Sequence, residues 1–165
     1  MEKELLTGRL EWTGHPLIDV GIATLCAMAN KRAPGDLTLK DLDQAAREMK
    51  EYYFSGLMNS YLTCVFMNSA YVQPNMREEE KAAYEKRVLF AHRWDGDKQT
   101  AGLSCVFSGR QASHLIHRGQ MPMLTGEDVL NFFPAGQGGL AIAGPFLVAL
   151  QALPLGCSSM LPATG

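Results

Sequence analysis

The sequence predicts an α+β fold in which N-terminal helices pack on a small mixed or antiparallel sheet, ahead of an uncharged, Gly/Pro-rich C-terminal segment. Three observations predict it. Apolar residues recur at spacings of three and four across 16–29, 39–54 and 77–93, the period of a helix with one buried face. Runs rich in Val, Phe, Thr and Cys are few and short. All 15 Lys and Arg and all 17 Asp and Glu lie between Glu2 and Asp128, so the last 37 residues, from Val129, carry no charge. The first 128 residues are one-quarter charged, as a solvated surface should be.

Taken in order, 5–11 alternates in character and suits a short strand. Trp12-Thr13-Gly14-His15-Pro16 is turn chemistry, and Pro16 fits the first position of a helix predicted from Pro16 to Ala29. Asp19 stands in the first turn, where the helix dipole favours an anion. With so few polar residues, this helix is expected to be buried on most sides. Thr38 and Asp41 form a capping-box pattern ahead of a helix from Leu39 to about Phe54. Its stripe is Leu42, Ala45, Ala46, Met49, Tyr52 and Tyr53; Lys40, Asp43, Arg47 and Lys50 form the solvated side.

Ser60 to Met67 reads as a buried strand. Arg77 to Arg93 is helical, with Ala82, Ala83, Tyr84, Val88, Leu89 and Ala91 inward, and Asp95-Gly96-Asp97 ends it. Leu103 to Phe107 is a short strand. Gly144-Pro145 opens a last helix that Pro154 is expected to terminate. A single domain results, with a helix-and-strand core over 1–97, a basic and Gly-rich loop region over 98–139, and an apolar helix and tail over 140–165.

At 165 residues the chain can bury a real core. A net charge of -2 argues against coating nucleic acid by bulk charge. Cys26, Cys64, Cys105 and Cys157 are widely spaced, and the charged start has no apolar stretch of a secretory signal, so reduced thiols in the cytoplasm are expected. The apolar run 140–155 is interrupted by Gly144, Pro145, Gln151 and Pro154, too short and too broken to span a bilayer.

Catalytic patterns are missing. Cys105 and Cys157 each stand where half of a C-x-x-C pair would, with His114 and His117 between them, but buried thiols and loop histidines explain these residues better than zinc. Cys105-Val-Phe-Ser108-Gly109 lacks the first glycine of a nucleophile elbow. Gly136-Gln-Gly-Gly139 lacks the lysine of a phosphate loop. Neither an enzyme nor a cofactor is expected.

Local charge is more informative. From Lys98 to Gly126 there is no acid, while Lys98, Arg110, Arg118, His114, His117, Gln111 and Gln120 are present. Arg and Lys pair with phosphate or guanine, and Gln fits adenine. A solvated loop of mildly basic composition is the competing reading.

Several segments resemble a known family. Trp12 to Leu25 (WTGHPLIDVGIATL) is similar to the "G-x-P-hydrophobic-x-D-x-G" opening of the large subunit of type I CRISPR effector complexes, of the type I-B/Myxan branch. Val65-Phe-Met-Asn-Ser69 before Pro74 resembles its "F-x-N-S" element, and Cys105 to Ala112 its "C-x-x-x-G-x-x-A" turn. Met121 to Gly126, Asn131 to Gly136 and Ala149 to Cys157 resemble its "PLLTG…NFFPxG…ALQALPLGC" run. The family's large subunits are several times longer, so the chain is expected to represent an N-terminal portion or a truncated or split form.

The resemblance implies a non-catalytic subunit at the foot of an RNA-guided complex. Its expected partners are the crRNA 5′ handle, target double-stranded DNA bearing a protospacer-adjacent motif, and the backbone and repeat-handling subunits. A helicase-nuclease, or a transposition selector protein in transposon-associated systems, would dock there; no membrane is involved. Arg110, Gln111, His114 and Arg118 are expected at or near DNA, with Asn131 and Gln137 secondary. The competing class is a cytoplasmic protein-interaction scaffold without a nucleic-acid role. On the family reading, the uncharged tail is an internal seam covered by further chain or a neighbouring subunit.

Overall fold

A computed structural model describes residues 9–67, 69–117, 119–122 and 139–157. The observed class is α+β, as expected. In chain order come α1 (Pro16–Met28), α2 (Leu39–Phe54), α3 (Asn59–Val65), α4 (Glu78–Tyr84), β1 (His114–Ile116), β2 (Leu140–Ile142) and α5 (Gly144–Cys157). The strands pair antiparallel, with His114 opposite Ile142 and Ile116 opposite Leu140. Among the described residues no helix is long and apolar enough to cross a membrane.

The fold is organised around α5. Every residue from Gly144 to Pro154 is buried, and Phe146, Leu147, Val148 and Leu150 have no exposed surface. Helix α1 packs along it, with α2, α3 and segment 85–93 closing the other sides. Burying a large aliphatic or aromatic side chain stabilises by roughly 1.5–3 kcal/mol, so these residues supply much of the driving force. Residues 139–154 of the uncharged tail are therefore covered by the chain's own helices, which corrects the expectation of an intersubunit seam there. The charge-free composition reflects a central helix with no solvent face.

Small residues make this packing possible. A Cβ on Gly21 of α1 would overlap the Ala149 carbonyl of α5, and one on Gly156 would overlap the Thr24 hydroxyl. One on Gly144 would overlap the carbonyl of Ala91. The two helices thus meet backbone against backbone near Gly21.

Helix α1 starts at Pro16 as expected and buries Ile18, Gly21, Ile22, Leu25 and Cys26. It is less enclosed than expected: Val20, Ala23 and Ala27 form an exposed apolar face. Asp19 accepts from the Thr13 N–H and hydroxyl, both at 2.8 Å, and from the Gly14 N–H at 2.9 Å, so it fixes the preceding turn as well as serving the dipole.

Helix α2 has the expected bounds, and its capping box is formed: the Asp41 N–H donates to Thr38 Oγ1 at 3.3 Å and the Thr38 N–H to Asp41 Oδ2 at 2.8 Å. Tyr53 is buried, whereas Tyr52 lies outside. Asp43, expected on the solvated side, instead accepts from His92 and Arg93.

Several expectations are corrected. The strand expected over 60–67 is α3, with Leu62 and Phe66 buried at helical spacing and Thr63 Oγ1 donating back to the Asn59 carbonyl at 2.7 Å. A buried strand needs ladder partners on both sides, and the described sheet has only two short strands. Cys64 is consequently exposed.

Helix α4 passes into a π-turn, Glu85–Leu89, and a 3-10 turn, Ala91–Arg93. The extra residue in the π-turn rotates the inward face, so Val88, Leu89 and Ala91 are buried while Ala82 and Ala83 are exposed. The strand expected over 103–107 is a tight reversal held by a Ser104–Gln111 bridge. Of the first expected strand, 5–8 lie outside the described residues and 9–11 belong to no strand. Pro154 does not end α5, which runs to Cys157. Standing in the last turn, its missing N–H deprives only the Leu150 carbonyl of a helical partner.

Gly21→Ala is expected to destabilise by about 2 kcal/mol or more in urea unfolding, because both colliding partners are backbone. Gly35→Ala, where a Cβ meets nothing within 4 Å, should stay within about 0.5 kcal/mol.

Candidate functional site

The acid-free segment folds as a series of short devices moored to α5. A 3-10 turn, Lys98–Thr100, leads to the 103–112 reversal. There the Cys105 N–H donates to the Arg110 carbonyl at 2.6 Å, the Gly109 N–H to the Cys105 carbonyl at 2.8 Å and the Ala112 N–H to the Leu103 carbonyl at 2.9 Å. Gly109 has φ 69°, a conformation glycine adopts without strain. The Val106 N–H donates to the Ala141 carbonyl at 3.1 Å, fastening the reversal beside β2.

Arg110 is 41 % exposed at its side chain and reaches back across the fold. Its guanidinium donates to the Arg9 carbonyl at 2.6 Å and to Glu11 Oε1 at 3.1 Å, so it holds the N-terminal segment in place. Gln111 is exposed, and its Nε2 donates to the carbonyls of Thr100 at 3.0 Å and Ala112 at 3.1 Å. Lys98, Gln99, Arg110, Gln111 and His117 are exposed polar side chains of this segment.

His114 is placed differently from the expectation of a DNA contact: it has no exposed surface. Its Nε2–H donates to the Arg87 carbonyl at 2.9 Å, and its Nδ1 accepts from the Ser113 hydroxyl at 2.8 Å. That hydroxyl in turn accepts from the Gly144 N–H at 2.9 Å. His114 therefore joins the π-turn to the N-terminus of α5, and alternation along β1 turns it inward. Arg118, Asn131 and Gln137 lie outside the described residues.

The zinc set considered for Cys105, His114, His117 and Cys157 is not gathered. Cys105 is 2 % exposed in the core, Cys157 is exposed at the last residue of α5, and no metal-binding group occurs among the described residues.

Two features escaped sequence reasoning. The first is Gln151, which looked like a mere interruption of an apolar run. It is fully buried; its Nε2 donates to the Gln120 carbonyl at 2.9 Å and its Oε1 accepts from the Tyr71 hydroxyl at 3.1 Å. The Tyr53 hydroxyl donates to its main-chain carbonyl at 2.6 Å. Gln120 Oε1 accepts from the His117 N–H at 2.9 Å, and the Tyr84 hydroxyl donates to the Gly119 carbonyl at 3.1 Å. A lone amide in a helix with no solvent face is the signal that would have exposed it, since a buried amide must find partners.

The second is a corner near the N-terminus. Trp12 is 54 % exposed and Val106 46 %, while the His15 and Phe107 rings meet edge-on with centroids 5.2 Å apart.

The histidines make the fold acid-sensitive. Burial pushes His114 down to about 4, a fall only partly offset by Asp97 and the bond to the Arg87 carbonyl. Burial also lowers His92, against the raising effect of Asp43. At neutral pH the His92–Asp43 contact of 2.7 Å is thus a hydrogen bond from a neutral ring, with a buried Nδ1 that has no partner. Asp43 itself is held down to about 2, chiefly by its hydrogen bond from Arg93, against burial.

Both histidines are less basic folded than unfolded, so the unfolded chain binds more protons below the ordinary histidine value of 6.5 and stability falls as pH drops. For His114 the loss between pH 6.5 and about 4 is on the order of 3 kcal/mol. Urea midpoints measured from pH 7 to 4.5 should fall accordingly, and His114→Gln should flatten the slope. Gln151→Leu, which strands the Tyr71 hydroxyl and the Gln120 carbonyl, is expected to cost roughly 2–3 kcal/mol and to speed amide exchange at His117 and Gln120. No family model matches the chain, and no curated protein or solved structure is significantly similar to it.

Proposed function

We propose that the chain belongs to a non-catalytic large subunit of a type I CRISPR RNA-guided complex, of the type I-B/Myxan kind. In that role it contacts the crRNA 5′ handle and the protospacer-adjacent motif of duplex DNA. It also offers a docking surface for a helicase-nuclease or a transposition selector protein.

The observation that carries the reading is the mutual packing of segments that resemble the family. Gly21, from the 12–25 block, meets Ala149 of the 149–157 block. His15 of the first block meets Phe107 of the 105–112 turn. Residues that carry the resemblance in separate parts of the chain thus meet in the fold. The acid-free 98–126 sequence, with Lys98 and Gln111 exposed and Arg110 braced on Glu11, supports DNA contact in the same way: guide pairing supplies sequence specificity, so such a subunit needs only a few contacts to a short motif. His114 leaves the set of direct contacts, because it has no exposed atom to offer.

Co-expression of the chain with crRNA and the backbone and repeat-handling subunits encoded beside it tests the reading. The expected result is a co-purifying ribonucleoprotein. Arg110→Ala should weaken its binding to motif-bearing duplex DNA by roughly fivefold or more, measured by gel shift with a motif-scrambled duplex as control. Purification with protein partners alone, free of RNA, would favour the scaffold reading instead.

A further inference from the structure

We draw no further inference here: the strongest candidate, the exposed and uncharged outer face of α1 formed by Val20, Ala23 and Ala27 beside the end of α5 at Gly156, is an apolar surface, and nothing in the structure shows what covers it.

Discussion

The close crossing of α1 and α5 is the constraint on which the rest of the structure depends. At Gly21 the two backbones approach until no side chain fits between them, and at Gly156 the last turn of α5 closes on Thr24. A third close approach, Gly144 against the Ala91 carbonyl, sets the start of α5 on segment 85–93. These contacts set the helix spacing, and through it the space that Phe146, Leu147 and Leu150 fill. Close packing of this kind has little capacity to relax, so the surrounding elements inherit their positions from it.

A helix buried on every side offers few polar handles, and those it has become fixed points. Gln151 binds α2 and the 70–72 turn through two tyrosines and binds segment 119–121 through Gln120. At the N-terminus, the Gly144 N–H begins a relay through Ser113 and His114 to the Arg87 carbonyl. The acid-free segment is thereby tied to α5 at two levels, which makes it a shaped surface on a rigid support. The burial of this relay explains its acid sensitivity: a second proton on His114 would place a charge where no water reaches it.

Charged side chains divide their work in a manner that composition conceals. Arg110 and Asp43 stand in regions expected to meet DNA or solvent, and Asp19 where it was expected to serve the helix dipole, yet each holds two parts of the chain together. Around Trp12, Arg110 is matched by Glu11 and Asp19 is spent on the 13–14 turn, so charge there is used to fasten the chain.

Much of this was legible in the sequence because it depends on neighbours in the chain. The capping box at Thr38, the start of α1 at Pro16 and the stripe of α2 follow from local hydrogen bonding and a 3.6-residue period. The absence of charge after Asp128 likewise marked a segment that must be covered. What covers it was a tertiary matter, as was the state of 60–67, where Val, Phe, Thr and Cys suit a strand but no ladder partner stands among the described residues. The π-turn at 85–89 moved the inward face by a residue, which no periodicity reveals in advance. His114, Gln111 and Arg110 share one acid-free stretch, yet one is interior, one is braced on the surface and one is a strut. Sequence alone determined which segments seek the interior and which carry positive charge. Only the tertiary structure decided which of those charges remain available, because pairing depends on residues that meet across about a hundred positions of chain, as Arg110 and Arg9 do.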